Sequence, residues 1–129
     1  MQGLHLTADL RGCDPAAPVM HDPAALRALC LRAVQQAGLQ AVGELFHRFA
    51  PPPGGGPAGV TGVVLLAESH LAVHTWPELG AVTLDAYVCN LGEDNSAKAE
   101  ALMASLQAAF APRQADRQAL QRGRSAPEP

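Results

Sequence analysis

The residues that could carry out chemistry are concentrated near the middle of the chain. Glu68, Ser69 and His70 are consecutive. His74 follows four residues after His70, and Cys89 lies beyond the next predicted strand. A hydroxyl, imidazoles and a thiol are the groups that nucleophilic hydrolases use. Ser69, however, lacks the GxSxG elbow, and its strand-rich surroundings lack the strand-to-helix turn that this elbow requires. The sequence therefore disfavours a serine hydrolase.

A metal site is the second general possibility for the two histidines. On a helix, His70 and His74 would share one face, as metal ligands spaced four residues apart do. The segment is instead rich in strand-forming residues, and four residues of a strand span roughly 13 Å, too far for two ligands of one ion. The chain also has no CxxC pair of the kind that zinc sites use. We therefore predict no metal site.

Composition limits the size of the fold and the classes of partner. The chain has 129 residues, 48% of them hydrophobic, which fits a single compact domain. The formal net charge is −3 and no cluster of Lys or Arg is present, so we expect no nucleic-acid or membrane partner. The sequence shows neither a signal-peptide pattern nor a membrane span, and its three cysteines are widely spaced. We therefore expect a cytoplasmic protein with reduced thiols.

The hydrophobic patterns predict an α+β protein. Asp22 is a suitable N-cap for a helix, Pro23 suits its first position, and Gly38 can end it. A second amphipathic helix is predicted to begin near residues 94–96 and to end at Pro112. The remaining patterns predict strands over residues 3–9, 39–48, 60–67, 70–76 and 81–88. This succession of strands and helices indicates a two-layer sandwich, an antiparallel sheet with helices packed on one face.

Two segments have the composition of irregular chain. Residues 50–58 are rich in proline and glycine and are predicted to form a surface loop. Residues 113–129 are polar and lack strong strand formers, so we expect a mostly mobile C-terminal tail with at most one weak edge strand. The predicted domain therefore spans residues 1–112.

Four short motifs follow one another in a distinctive order. They are HRF at residues 47–49, VTGVV at 60–64, AESHL at 67–71 and HTWPE at 74–78. Together they resemble the small bacterial and archaeal S-adenosylmethionine decarboxylase proenzymes. The combined pattern ESHLxxHTWPE is long and unusual in composition, so a chance match is improbable. The resemblance covers roughly residues 3–110.

The resemblance implies that the chain cuts itself between Glu68 and Ser69. The Ser69 hydroxyl would attack the Glu68 carbonyl, and the resulting ester would lose the Glu68 carboxylate by elimination. Hydrolysis would then leave a covalent pyruvoyl cofactor, made from Ser69, at the start of the second fragment. The products would be a β chain of residues 1–68 and an α chain of residues 69–129.

The resemblance also implies a role for other residues. His74 matches the base that removes the Ser69 α-proton, and Thr61 matches a processing hydroxyl that is usually serine. Cys89 matches the acid that protonates the product during turnover. Two residues match substrate-binding positions, Glu78 for the ribose hydroxyls and Phe49 for the adenine.

The implied activity is decarboxylation of S-adenosylmethionine to the aminopropyl donor of spermidine and polyamine biosynthesis, by a homodimer of processed αβ protomers. Four positions depart from the usual family pattern: Leu4, Leu79, Ala81 and Asn90. Because two of these departures, Leu79 and Ala81, replace common tyrosines, the alternative is a pyruvoyl-dependent ornithine or arginine decarboxylase on the same fold. A non-catalytic regulatory paralogue is a third hypothesis.

Overall fold

A six-stranded antiparallel sheet forms one layer of the protein, and helices form the other. The computed structural model describes residues 2–90 and 92–123. The helices of that part are α1 (Pro18–His21), α2 (Pro23–Gln36) and α3 (Ser96–Phe110). Its strands are β1 (Gly3–Arg11), β2 (Ala41–Arg48), β3 (Val60–Leu66), β4 (Ser69–Trp76), β5 (Ala81–Cys89) and β6 (Gln114–Arg122). None of the described helices combines the length and the apolar character that a membrane crossing requires.

The strands lie in the order β2-β3-β4-β5-β1-β6, and every neighbouring pair is antiparallel. Consecutive strands β2 to β5 are neighbours, so short connections build most of the sheet. Strand β1 then adds beside β5, which places the start of the chain next to the strand that carries Cys89. The predicted two-layer α+β fold is confirmed.

The local signals of the first long helix are present in the structure. The Asp22 carboxylate accepts a hydrogen bond from the Ala24 amide at 3.0 Å, and Pro23 is the first residue of α2. Gly38 follows the helix with a φ of +84°, a left-handed conformation that costs glycine little. Helix α1 is an additional single turn that hydrophobic periodicity could not reveal, because it has only four residues.

The core lies between the helices and one face of the sheet. Leu71, Val73 and Thr75 of β4 are buried, and they alternate with partly exposed residues that include His70 and His74. Because side chains of a strand alternate between the two faces, the histidines lie on the face opposite the helices. We call this the open face of the sheet. It is where the polar residues of the central strands are displayed.

The chain continues as sheet beyond residue 112. Strand β6 pairs with β1 from Arg11 opposite Gln114 to Gly3 opposite Arg122. All nine of its residues are exposed, so the strand has no buried apolar face that its sequence could signal. The folded sheet therefore includes this segment, which the sequence assigned to a mostly mobile tail with one possible edge strand. Residues 124–129 of that tail lie outside the described residues.

Candidate active site

The Glu68–Ser69 bond lies at a tight turn between two strands. Leu66 of β3 pairs with Ser69 of β4, so Ala67 and Glu68 alone form the turn. Glu68 has a φ of +55°, one of two positive values among the described residues that are not glycine. A left-handed conformation costs a residue with a side chain roughly 1–2 kcal/mol. The peptide bond that follows Glu68 is therefore attached to a strained residue.

Ser69 is held against the end of β5. Its Oγ accepts a hydrogen bond of 3.0 Å from the amide of Cys89, the last residue of that strand. Because Oγ acts as the acceptor there, its own proton stays available for transfer. The Cys89 side chain is 8% exposed. Glu68, Ser69 and Cys89 thus form one group at the N-terminal end of β4.

A cavity of about 330 Å³ opens beside this group. Its lining residues are Glu68, Ser69, His70, Tyr87 and Arg122. Sequence analysis did not single out Tyr87 or Arg122. Tyr87 belongs to none of the motifs, and Arg122 lies in the segment predicted to be a tail. They reach the cavity because β5 and β6 lie on either side of β1.

The other candidate residues lie at the opposite end of β4. Thr61 of β3 is paired with His74, and its Oγ1 is 3.0 Å from His74 Nδ1. His74 also lies beside Trp76, with ring centroids 5.9 Å apart. A turn of 3-10 helix over Pro77–Leu79 follows β4 and presents Glu78.

These residues line a second cavity, of about 570 Å³. It is lined by Thr61, His74, Trp76, Glu78 and Phe49, together with Thr75 and part of the proline-rich loop. Its volume lies within the range of small-molecule sites.

The loop of residues 50–58 is anchored at the mouth of this cavity. The Phe49 amide donates a hydrogen bond of 2.9 Å to the Gly59 carbonyl, which closes the loop at its base. A Cβ at Gly59 would lie 2.3 Å from the Thr75 carbonyl oxygen, so a larger residue there would push β4 away. Phe49 itself is 50% exposed. Its ring is therefore available to a ligand.

A single copy of the chain does not bring the catalytic candidates of the sequence together into one site. Ser69 and His74 are five residues apart on the same straight strand, a separation of about 16 Å at the rise of an extended chain. Cys89 is next to Ser69, whereas Thr61 is next to His74. Within a single chain the imidazole of His74 therefore cannot reach the α-proton of Ser69. The separation of Ser69 and His74 follows from their spacing on one strand, whereas the positions of Cys89 and Thr61 depend on strand register, which the sequence does not specify.

The open face also carries a cluster that sequence reasoning missed. The Asp85 carboxylate oxygen Oδ1 lies 3.3 Å from His5 Nε2 and 3.2 Å from His70 Nε2. Three such groups could in principle hold a metal ion. Arg122 Nη1, however, lies 3.2 Å from His5 Nδ1 and can only donate, so a neutral His5 carries its proton on Nε2. A protonated nitrogen is not a ligand, and the arrangement describes an Asp85 carboxylate hydrogen-bonded to His70, with the His5 imidazole in contact beside it.

Comparison with known proteins assigns the chain to a family. Residues 4–123 match the family model described as S-adenosylmethionine decarboxylase. The chain belongs to the S-adenosylmethionine decarboxylase family. It is 35% identical over 109 residues to the S-adenosylmethionine decarboxylase proenzyme of Pyrococcus furiosus, covering 84% of this chain and 73% of that protein. The proenzyme of Aquifex aeolicus is 38% identical over 121 residues, covering 94% of this chain and 81% of that one.

Solved structures of the S-adenosylmethionine decarboxylase family show the same fold. The crystal structure of adenosylmethionine decarboxylase from Aquifex aeolicus superposes with a TM-score of 0.83 at 35% identity, over 98% of this chain and 95% of that chain. The crystal structure of the AdoMetDC monomer from Trypanosoma brucei superposes with a TM-score of 0.56 at 13% identity, over 88% of this chain and 44% of that chain. The second likeness concerns the fold alone. The resemblance inferred from the motifs is confirmed.

Proposed function

We propose that the protein is a self-processing, pyruvoyl-dependent S-adenosylmethionine decarboxylase. The observation that carries the proposal is the geometry of the Glu68–Ser69 turn. The bond to be cut follows a residue in a left-handed conformation, and the serine hydroxyl beside it keeps its proton available. Opening the turn relieves the cost of this conformation, which favours the cleaved products. Family membership supplies the chemistry to which this turn is suited.

Processing would proceed in three steps at this turn. Ser69 Oγ attacks the Glu68 carbonyl carbon, the C–N bond breaks, and the nitrogen takes up the proton, which leaves an ester. A base then removes the Ser69 α-proton, and the Cβ–O bond breaks as the Glu68 carboxylate leaves. Hydrolysis of the resulting dehydroalanine releases ammonia and leaves the pyruvoyl group.

The residues around Ser69 fit that group. The pyruvoyl carbonyl, when formed, supplies an electron acceptor for loss of carbon dioxide from the substrate. Cys89 lies at the same end of β4, with its amide 3.0 Å from Ser69 Oγ, and is therefore suited to return a proton to the product carbon. The product expected from S-adenosylmethionine is an aminopropyl donor for polyamine synthesis.

The larger cavity is suited to the adenosyl part of the substrate. The half-exposed Phe49 ring offers a surface on which adenine can stack. The exposed Glu78 carboxylate can accept hydrogen bonds from both hydroxyls of a ribose. Ornithine and arginine have neither an aromatic base nor a diol, so this lining favours S-adenosylmethionine.

The active unit would be a homodimer of processed protomers, because a single chain keeps Ser69 and Cys89 far from Thr61 and His74. A two-fold axis parallel to the open face and perpendicular to β4 would lay the open faces of two sheets against each other, with their β4 strands running in opposite directions. The His74 end of one copy would then meet the Ser69 end of the other, and each dimer would have two composite sites. Large apolar side chains on the open face remain exposed in a single chain and would be covered: Leu45 at 70%, Leu65 at 50%, Trp76 at 37% and Leu120 at 57%.

Intact mass spectrometry tests the self-cleavage. The wild-type protein should appear as two fragments, residues 1–68 and 69–129, with a pyruvoyl group on the second. Ser69→Ala should remain a single 13.4 kDa chain, whereas Ser105→Ala, a matched change on helix α3, should be cut like wild type. A wild-type chain that stays whole would contradict the proposal and would favour a non-catalytic paralogue.

Rates of decarboxylation test the substrate. Equal concentrations of S-adenosylmethionine, ornithine and arginine should give a clearly higher kcat/KM for S-adenosylmethionine. A higher value for either free amino acid would assign the cavity to a basic side chain with Glu78 as its counter-ion. The comparison is needed because Leu79 and Ala81 are smaller than the tyrosines that the family usually has at these positions.

A further inference from the structure

We propose that the guanidinium of Arg122 receives the carboxylate that Glu68 becomes when the chain is cut, and that it thereby speeds the elimination step. The role rests on the proposed self-processing. The cavity beside the turn is lined by both Glu68 and Arg122. Within residues 2–90 and 92–123, Arg122 is the one Lys or Arg in that lining. Its guanidinium therefore belongs to the same cavity as the new chain end.

Strand pairing brings Arg122 to the turn from a distant part of the sequence. Gly3 of β1 is paired with Cys89 on one side and with Arg122 on the other. Neighbouring strands are about 4.8 Å apart, so the Arg122 backbone lies about 10 Å from that of Cys89. The Ser69 hydroxyl is bonded to the Cys89 amide. An extended arginine side chain can cross most of this distance.

The side chain of Arg122 is directed across the sheet by its contacts. Its Cζ lies 5.8 Å from the centre of the Tyr87 ring, and its Nη1 lies 3.2 Å from His5 Nδ1. The ring can occupy this position because Gly3 has no side chain, and a Cβ there would lie 2.7 Å from Tyr87 Cε1. An aromatic face and an imidazole orient the guanidinium, and neither group carries a negative charge.

The absence of a carboxylate partner distinguishes Arg122 from the arginines that are already paired. Arg11 bonds Asp116, Arg27 bonds Glu44, and Arg117 bonds Glu100. Among the described residues, no carboxylate lies within 4.0 Å of the Arg122 guanidinium. This cation is therefore free to bind an anion that appears during the reaction.

Such an anion appears in the elimination step. In the precursor and in the ester, the Glu68 carbonyl group is neutral. As the Ser69 α-proton is removed and the Cβ–O bond breaks, the electron pair of that bond moves to the Glu68 carboxyl group, which becomes negatively charged. A cation already in place interacts more strongly with the developing carboxylate than with the ester, so it lowers the barrier of this step.

Three variants test this role: Arg122→Ala, Arg122→Lys and the matched control Arg117→Ala from the same strand. Precursor made by cell-free synthesis is followed by intact mass, and hydroxylamine cleaves the ester form. Arg122→Ala should lose ester about tenfold more slowly than wild type, the effect of one charge-assisted hydrogen bond, and should accumulate hydroxylamine-sensitive chain. Arg122→Lys should be intermediate, and Arg117→Ala should match wild type.

Chemical rescue separates lost charge from lost structure. Guanidinium chloride at millimolar concentration should restore elimination in Arg122→Ala, whereas sodium chloride at equal ionic strength should not. Elimination by Arg122→Ala at the wild-type rate would overturn the role of Arg122 and leave the self-processing intact. Accumulation of ester-free precursor would also overturn it, because the block would precede elimination. A wild-type chain that is never cut would remove the proposed function itself.

Discussion

Mixing two inactive variants tests whether each site is shared between two copies of the chain. Ser69→Ala lacks the residue proposed to be processed, and His74→Ala lacks the proposed base. On one chain these positions are about 16 Å apart along β4, beyond the reach of an imidazole. If processing used residues of a single chain, no mixture of the two variants could restore it. If the site is composite, one of the two sites in a mixed dimer contains both functional residues.

The expected yield follows from random pairing. Equal co-expression should give mixed dimers as about half of the population, each with one intact site, so about one quarter of all sites should work. About half of the His74→Ala chains should be cut, because half of them pair with a chain that supplies His74. The Ser69→Ala chains should stay whole in every dimer.

Intact mass spectrometry on the co-expressed protein, with a different affinity tag on each variant, measures these fractions directly. Each variant expressed alone is the control and should show almost no cleavage. Decarboxylation by the mixture should be about one quarter of that of wild-type protein at equal chain concentration. Complete absence of cleavage in mixed dimers isolated by both tags would refute the composite site and, with it, the arrangement of two opposed sheets.

Three further outcomes are expected. Cys89→Ala should still be cut but should release carbon dioxide about 100-fold more slowly, the usual contribution of a general acid, and a normal rate would remove the thiol from the mechanism. Glu78→Gln should raise KM for S-adenosylmethionine about tenfold with little change in kcat, whereas Glu93→Gln at the surface should leave both unchanged. Burial raises the pKa of Cys30 from 9.0 to about 12. Because the folded state keeps the thiol proton of Cys30, the contribution of this group to stability is complete below pH 9.0 and is lost as the pH rises towards about 12. The urea midpoint of unfolding should therefore fall over this pH range for the wild-type protein, and it should fall less for Cys30→Ala. An equal fall in both proteins would contradict this cause.

Local sequence signals predicted most of the elements. The Asp22-Pro23 start of helix α2 and its end at Gly38 are properties of a few adjacent residues, and the structure contains them as expected. The β3 and β4 strands were predicted from their strand-forming residues, and in the structure the residues of both strands alternate in burial. Strand β6 is different, because its residues are all exposed and its stability comes from main-chain pairing with β1. No periodicity in its own sequence encodes that pairing.

The sequence by itself determined which chemistry is available. Motifs around Glu68, Ser69 and His74 identified the family, because long unusual patterns survive in the chain irrespective of its folding. Tertiary structure decided where those groups lie relative to one another. It placed Cys89 beside Ser69 and Thr61 beside His74, and it brought Arg122 to the turn across two neighbouring strands. Both results depend on strand register, a long-range property set by hydrogen bonds between segments up to 119 residues apart, as between Gly3 and Arg122, and not by any local pattern.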